Sequence, residues 1–193
     1  AAFYTAIVRG RPTWVSWSLL SAVIRLRGEL RTPDELVDAG ALSPAAYRIA
    51  EALDAADGPL STGDLRRQAA FPTGKEQRAA YLRAMAELDT RLLVAKVFLA
   101  DGDDMCHALV TARYPQHVAA AEMMTRDAAL ERFLLAYLPH AVYAVPASLA
   151  RHLQLPEDEL RAGLERLAAA NQVTMATVPG QKGACYLWCS AEG

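Results

Sequence analysis

The residues of this chain that could bind a metal or attack a substrate are three cysteines, four histidines and one run of acids. Their spacing works against both chemistries. Cys106 and His107 are adjacent, Cys185 and Cys189 lie four apart, and His117, His140 and His152 are scattered. No CxxC or HxxxH pattern places two ligands on one turn of structure, so the thiols read as small buried apolar groups. In an extended strand Cys185 and Cys189 are roughly 13 Å apart at ~3.3 Å per residue. That is too far for a disulfide, and an odd, sparse count fits a reducing compartment. Asp101-Gly102-Asp103-Asp104 lacks the further ligands and the bidentate Glu of a calcium loop and reads as a hairpin turn. Gly74-Lys75 has no glycine five residues earlier and is not a phosphate loop. No Ser or Cys sits in a GxSxG elbow. The expectation is no catalytic residue, no metal and no cofactor within this stretch.

The cations carry more information. Seventeen of the twenty are arginine, so an anion would be met mostly by forked guanidinium groups. The net charge of −2 gives no global basic footprint, and any nucleic-acid contact must be local. Residues 1–31 hold five Arg against one Glu, and residues 32–59 reverse this with one Arg against six acids. In the first stretch Arg9, Arg11, Arg25 and Arg27 surround Trp14 and Trp17, a mix suited to a backbone or a base. The competing reading makes both Trp residues core and lets the arginines snorkel. Further on, Arg66, Arg67, Lys75, Arg78 and Arg83 are DNA-binding candidates, as are Arg161 and Lys182 near the C-terminus. Residues 60–111 balance seven positive against seven negative charges, and their acidic turn would repel phosphate. Arg161 is flanked by Glu157 and Glu165 at i,i±4, which answers its charge within the helix. Solvated helix faces are the alternative for each of these cations.

Positioning falls to a helix-rich scaffold. Fifty-three per cent hydrophobic content with only 7% aromatic residues reflects abundant Ala and Leu. A short apolar helix is expected over Phe3–Val8, ended by Gly10-Arg11-Pro12. A second helix should start near Thr13 or Ser16 and stop at Gly28. Thr32-Pro33-Asp34-Glu35 has the form of a capping box, and Ser43-Pro44 launches a helix to about Asp57. Then come a short helix from Ser61 to Ala70, a longer one from Lys75 to Thr90 with Tyr81, Leu82, Met85 and Leu88 inward, and strands Leu92–Leu99 and Met105–Thr111. Residues 112–122 should form a connecting helix opened by Tyr114-Pro115, and Thr125 caps the next.

The pattern then returns. Helices are expected over Pro146–Leu153 and Pro156–Ala170, followed by a hairpin of Val173–Val178 and Cys185–Cys189. Leu82-Arg83-Ala84-Met85 echoes Leu160-Arg161-Ala162-Gly163 at an offset of roughly 80 residues. The reading is mainly α with small β-hairpins, arranged as tandem winged helix-turn-helix units. Residues 1–42 form an N-terminal helical segment, 43–111 the first unit, 112–124 a connector and 125–193 the second unit.

Three stretches resemble a known family. Phe3-Tyr4-Thr5-Ala6-Ile7-Val8-Arg9-Gly10-Arg11-Pro12-Thr13, Gly58-Pro59-Leu60-Ser61-Thr62-Gly63-Asp64-Leu65-Arg66 and Arg113-Tyr114-Pro115 resemble, in order, segments of bacterial proteins related to the AlkZ/YcaQ DNA glycosylases. The resemblance implies tandem winged helices around a DNA-binding concavity, and in active members excision of alkylated or crosslinked bases. Their catalytic signature is Gln-x-Gln or Gln-x-Asp. None of Gln68, Gln77, Gln116, Gln154, Gln172 and Gln181 is followed two positions on by Gln or Asp, so no catalytic residue carries over. Either the signature lies ahead of Ala1, which is not a Met, or this is a relative without that chemistry.

The expected role is therefore binding double-stranded DNA, in damage handling. A glycosylase with an upstream motif and a protein-docking or transcription-regulatory module are the alternatives. Val15–Leu26, interrupted by Ser and Arg, is too short to span a bilayer, and a cytoplasmic protein without a membrane partner is expected.

Overall fold

A computed structural model describes residues 2–8, 11–99, 105–181 and 183–189. It is mostly helical with three small antiparallel sheets. The chain opens on a hairpin, β1 (Ala2–Val8) and β2 (Arg11–Ser16), where a helix over Phe3–Val8 was expected. The reason is local. Phe3, Tyr4, Thr5, Ile7 and Val8 are aromatic or β-branched, which suits a pleated strand better than a helix. Phe3 pairs across with Val15 and Tyr4 with Trp14, so alternate residues face opposite sides. Phe3 and Val15 turn inward and are buried.

Helix α1 (Trp17–Arg27) follows directly, with Ser16 at its N-cap and Gly28 at its C-cap. It is the spine of the molecule. Ala22 and Leu26 pack into a leucine-rich core of the C-terminal half, whereas Leu20, Val23 and Ile24 join Phe3, Val15 and Val118 in a second core. The last carbonyls of α1 are bound from outside, because Arg126 donates through Nη1 to the Leu26 carbonyl at 3.0 Å. Arg27 donates onward to the Leu153 carbonyl and to Gln154 Oε1. Its half-buried guanidinium, close to Arg126, is held below the usual arginine range, chiefly by desolvation.

A capping box at Thr32 and Glu35 starts α2 (Pro33–Asp38), as its sequence requires. Helix α3 (Pro44–Asp54) is capped by Ser43 and stops three residues short of the expected Asp57. Strand β3 (Leu60–Ser61) leads into α4 (Thr62–Gln68), capped by Ser61, and then α5 (Lys75–Thr90). Strands β4 (Val94–Phe98) and β5 (Met105–Leu109) complete a sheet ordered β3-β5-β4. The stripe expected inside α5 holds for Tyr81, Met85 and Leu88 but not for Leu82, which is 56% exposed; Ala84 takes the inward place.

The connecting helix opens at Tyr114-Pro115 as expected, as α7 (Pro115–Met123), but a separate short helix, α6 (Val110–Arg113), precedes it. Pro115 has no N–H to continue α6 and pushes Tyr114 out of helical geometry, to φ −131° and ψ 49°. Thr125 caps α8 (Arg126–Tyr137), and a 3₁₀ turn follows at Leu138–His140. Ala144 bridges to Tyr186; then come α9 (Pro146–Leu153), α10 (Glu157–Ala169), β6 (Val173–Ala176) and β7 (Cys185–Trp188).

One order thus occurs twice: helix, bridging strand, two helices, hairpin. The buried residues Tyr81, Ala84, Met85 and Leu88 of α5 match Leu160, Gly163, Leu164 and Leu167 of α10 at a constant offset of 79. Cys106 and Cys185, both buried, keep the same offset. Among the described residues no helix is long and apolar enough to cross a membrane.

Candidate nucleic-acid interface

The first repeat presents a basic corner. Ser61 Oγ accepts from the Asp64 N–H at 3.1 Å and donates to its carboxylate at 2.8 Å, which holds the first turn of α4. Arg67 is paired with Asp64. Arg66 lays its guanidinium over the Tyr81 ring, 5.7 Å from the centroid, and its buried Nε has no hydrogen-bond partner. Phe71 meets Tyr81 edge-on at 5.4 Å, and Arg48 lies 4.9 Å over Phe71. Arginine planes thus cover the aromatic wall of the α4–α5 corner. The Tyr81 hydroxyl is also buried and unpartnered, and burial pushes its pKa up to about 12, with Arg66 pulling the other way. Beside this wall lies a cleft of about 630 Å³ lined by Gly63, Arg66, Arg67, Ala70, Phe71, Pro72 and Thr73.

From this corner α5 runs outward. Lys75, Arg78 and Arg83 are exposed, and none has an ion-pair partner among the described residues. Alongside them the exposed face carries Glu76 and Gln77 in the first turn, then Ala79, Leu82 and Ala86. The first turn begins at Gly74, with φ +142° and open space around it.

The second repeat differs in sign at the same place. The first turn of α10 is Glu157, Asp158 and Glu159. Glu157 binds Arg161 at 2.6 Å and Glu159 binds Arg126 at 2.8 Å, so Arg161 is answered from within its own helix. Arg9, Lys182 and the acidic turn Asp101–Asp104 lie outside the described residues.

At the N-terminal hairpin, Arg11 is exposed and Trp14 is 61% exposed, which removes Trp14 from the core. Trp14, Tyr4 and Phe98 meet in one cluster that sequence order does not reveal, since Phe98 belongs to β4. Trp17 is half-buried and stacks on His117, 5.8 Å apart with planes 21° from parallel. His117 Nδ1 lies 3.2 Å from Ser21 Oγ, a pair 96 residues apart in the chain. Burial raises the pKa of the neighbouring Tyr114 hydroxyl and Arg113 lowers it. Among the described residues no three His, Cys, Asp or Glu side chains converge to hold a metal.

The family is decided by the sequence from Ala1 through α9, because residues 1–153 match the family described as AlkZ related. The chain belongs to the AlkZ-related family. The match takes in the N-terminal hairpin, α1 and the whole first repeat, and ends at the last residue of α9. No curated protein and no solved structure matches the chain. Membership places this AlkZ-related protein among relatives of DNA-repair proteins.

Proposed function

We propose that this AlkZ-related chain is a DNA-binding protein acting in damage handling, built from two winged-helix units over residues 43–111 and 125–193. In this reading the first unit grips the duplex and α5 is its recognition helix. The observation that carries it is the outer face of α5, where Lys75, Arg78 and Arg83 stand exposed without acidic partners among the described residues, beside Arg66. A third helix with a small, neutral centre and cationic flanks suits entry into a groove between two phosphate backbones. Leu82 supports this: an exposed leucine between Ala79 and Ala86 can meet a thymine methyl, which a charged residue cannot.

The test is a titration of labelled duplex at two salt concentrations. Binding that weakens linearly on a log–log plot as salt rises supports the reading. An absence of binding at low salt sinks it. The acidic first turn of α10 favours a second role for residues 125–193, docking a basic protein surface, and a pull-down without nucleic acid tests that.

A further inference from the structure

We propose that the cleft between the β1–β2 hairpin and β4 is a stacking site for an unpaired nucleobase. Three rings build it. Tyr4 and Trp14 are cross-strand partners with centroids 5.0 Å apart. Phe98 closes the third side, 6.0 Å from Tyr4 and 6.1 Å from Trp14. Trp14 is 61% exposed and Phe98 57%, so two large ring faces stand in water. Rings of this size are ordinarily spent on a core or an interface, and a contiguous exposed pair marks a binding surface. The cleft is about 420 Å³. That lies within the roughly 300–1,000 Å³ range of small-molecule sites.

The charge around the rings selects the ligand. Lys96 and Arg113 line the cleft, and no carboxylate does among its described lining residues. Lys96 Nζ sits 5.4 Å over the Tyr4 ring and is held there by Asp89 at 3.0 Å. Arg113 is exposed and has no ion-pair partner among the described residues. Flat faces flanked by Lys96 and Arg113 fit a base carrying its phosphate; an apolar peptide would leave Arg113 unmatched. Stacking on such faces tolerates any base, because every base has a π-face. The site extends the DNA-binding reading: the first repeat holds the duplex and the cleft takes a nucleotide that has left its pair.

The experiment measures binding of the full chain to three fluorescein-labelled probes: a fully paired duplex, the same duplex with one unpaired thymine, and a short oligo-dT strand. Trp14→Ala and Phe98→Ala are compared with wild type, and Lys75→Glu/Arg78→Glu serves as the duplex arm. Both ring variants remove exposed side chains, and unchanged circular dichroism and Tm will show that they fold. The expected result is a loss of about tenfold on the bulged duplex and oligo-dT, well beyond any loss on the paired duplex. Wild-type affinity of both ring variants for the bulged duplex and oligo-dT overturns the proposal, as does a wild-type protein that ignores those two probes. Binding of oligo-dT that falls in both ring variants, with no binding of the paired duplex, supports the stacking site and rejects the duplex reading alone.

Discussion

Arg78 and Glu157 hold the same place in the two repeats. Each lies three residues before the first buried residue of its helix, Tyr81 in α5 and Leu160 in α10, and the two differ in charge. Arg78 is exposed and free of ion pairs among the described residues, whereas Glu157 is tied to Arg161. One scaffold position is therefore basic in the first repeat and acidic in the second. Arg78→Ala is expected to lower duplex affinity and to reduce the slope of log K against log salt by about one, the signature of a lost phosphate contact. Glu157→Ala is expected to leave the slope unchanged or steepen it by freeing Arg161. Equal slopes for Arg78→Ala and wild type would remove α5 from the interface.

The one-residue difference between textual and structural repeats explains which parts of the fold were legible. Matching Leu82-Arg83-Ala84 to Leu160-Arg161-Ala162 sets the offset at 78, whereas the buried faces align at 79. A helix turns about 100° per residue, so that slip carries Leu82 from the surface to the core side. Helix starts fixed by a capping side chain or by Pro were readable: Thr32-Pro33, Ser43-Pro44 and Pro146 open helices where the sequence put them. The N-terminal hairpin was not, because a short apolar run satisfies either period and only its β-branched content told against a helix. The aromatic cleft was half legible. Trp14 stood out by type, but Phe98, Lys96 and Arg113 reach the site through tertiary packing that no local pattern encodes.

Glu87 ties α5 to α3. Ser43 donates to the Glu87 carboxylate through its N–H at 2.9 Å and its hydroxyl at 2.6 Å, while Ser43 Oγ caps α3 through the Ala46 N–H. Hydrogen bonds to a charged acceptor contribute about 1.5–3 kcal/mol when half-buried. Glu87→Ala should cost about 1–2 kcal/mol, since water can replace part of the pair, and Glu87→Gln less. Urea unfolding reads this as a lower midpoint at constant m. A midpoint within error of wild type for Glu87→Ala would show the bridge to be energetically idle.

His107 gives the molecule a pH dependence of known sign. It is 3% exposed on β5, with Nε2 3.0 Å from Thr62 Oγ1 and Nδ1 buried without a partner. Burial lowers its pKa from 6.5, with Asp89 opposing and Lys96 assisting. The folded state keeps the imidazole neutral where the unfolded chain takes up a proton. Stability is therefore full above about pH 6.5 and falls as pH drops from there toward the lowered folded value, by up to about 1.4 kcal/mol per pH unit. The decline ends once both states are protonated. Thermal unfolding of wild type and His107→Gln at about pH 7.5 and pH 5.5 isolates the contribution. The wild type should lose more Tm than the variant over that interval, and parallel losses would refute the assignment.

At Gly163 α10 approaches α8 closely. A Cβ there would lie 2.9 Å from Leu130 Cδ2 and 3.2 Å from Leu134 Cδ1. Both leucines are fully buried, so their methyl groups have little room to retreat. The equivalent residue of the first repeat is Ala84, buried without such a restriction in sequence. Two effects oppose each other on adding a side chain at 163. Leaving Gly gains about 1 kcal/mol of helix propensity for Ala, and overpacking costs about 1–3 kcal/mol. For Gly163→Ala these nearly cancel, leaving a loss below about 2 kcal/mol. Gly163→Val adds two methyl groups beyond that Cβ, gives back most of the propensity gain and should cost clearly more. Chemical denaturation of the two variants ranks them, and a valine variant as stable as wild type would show that the two helices can part here without penalty.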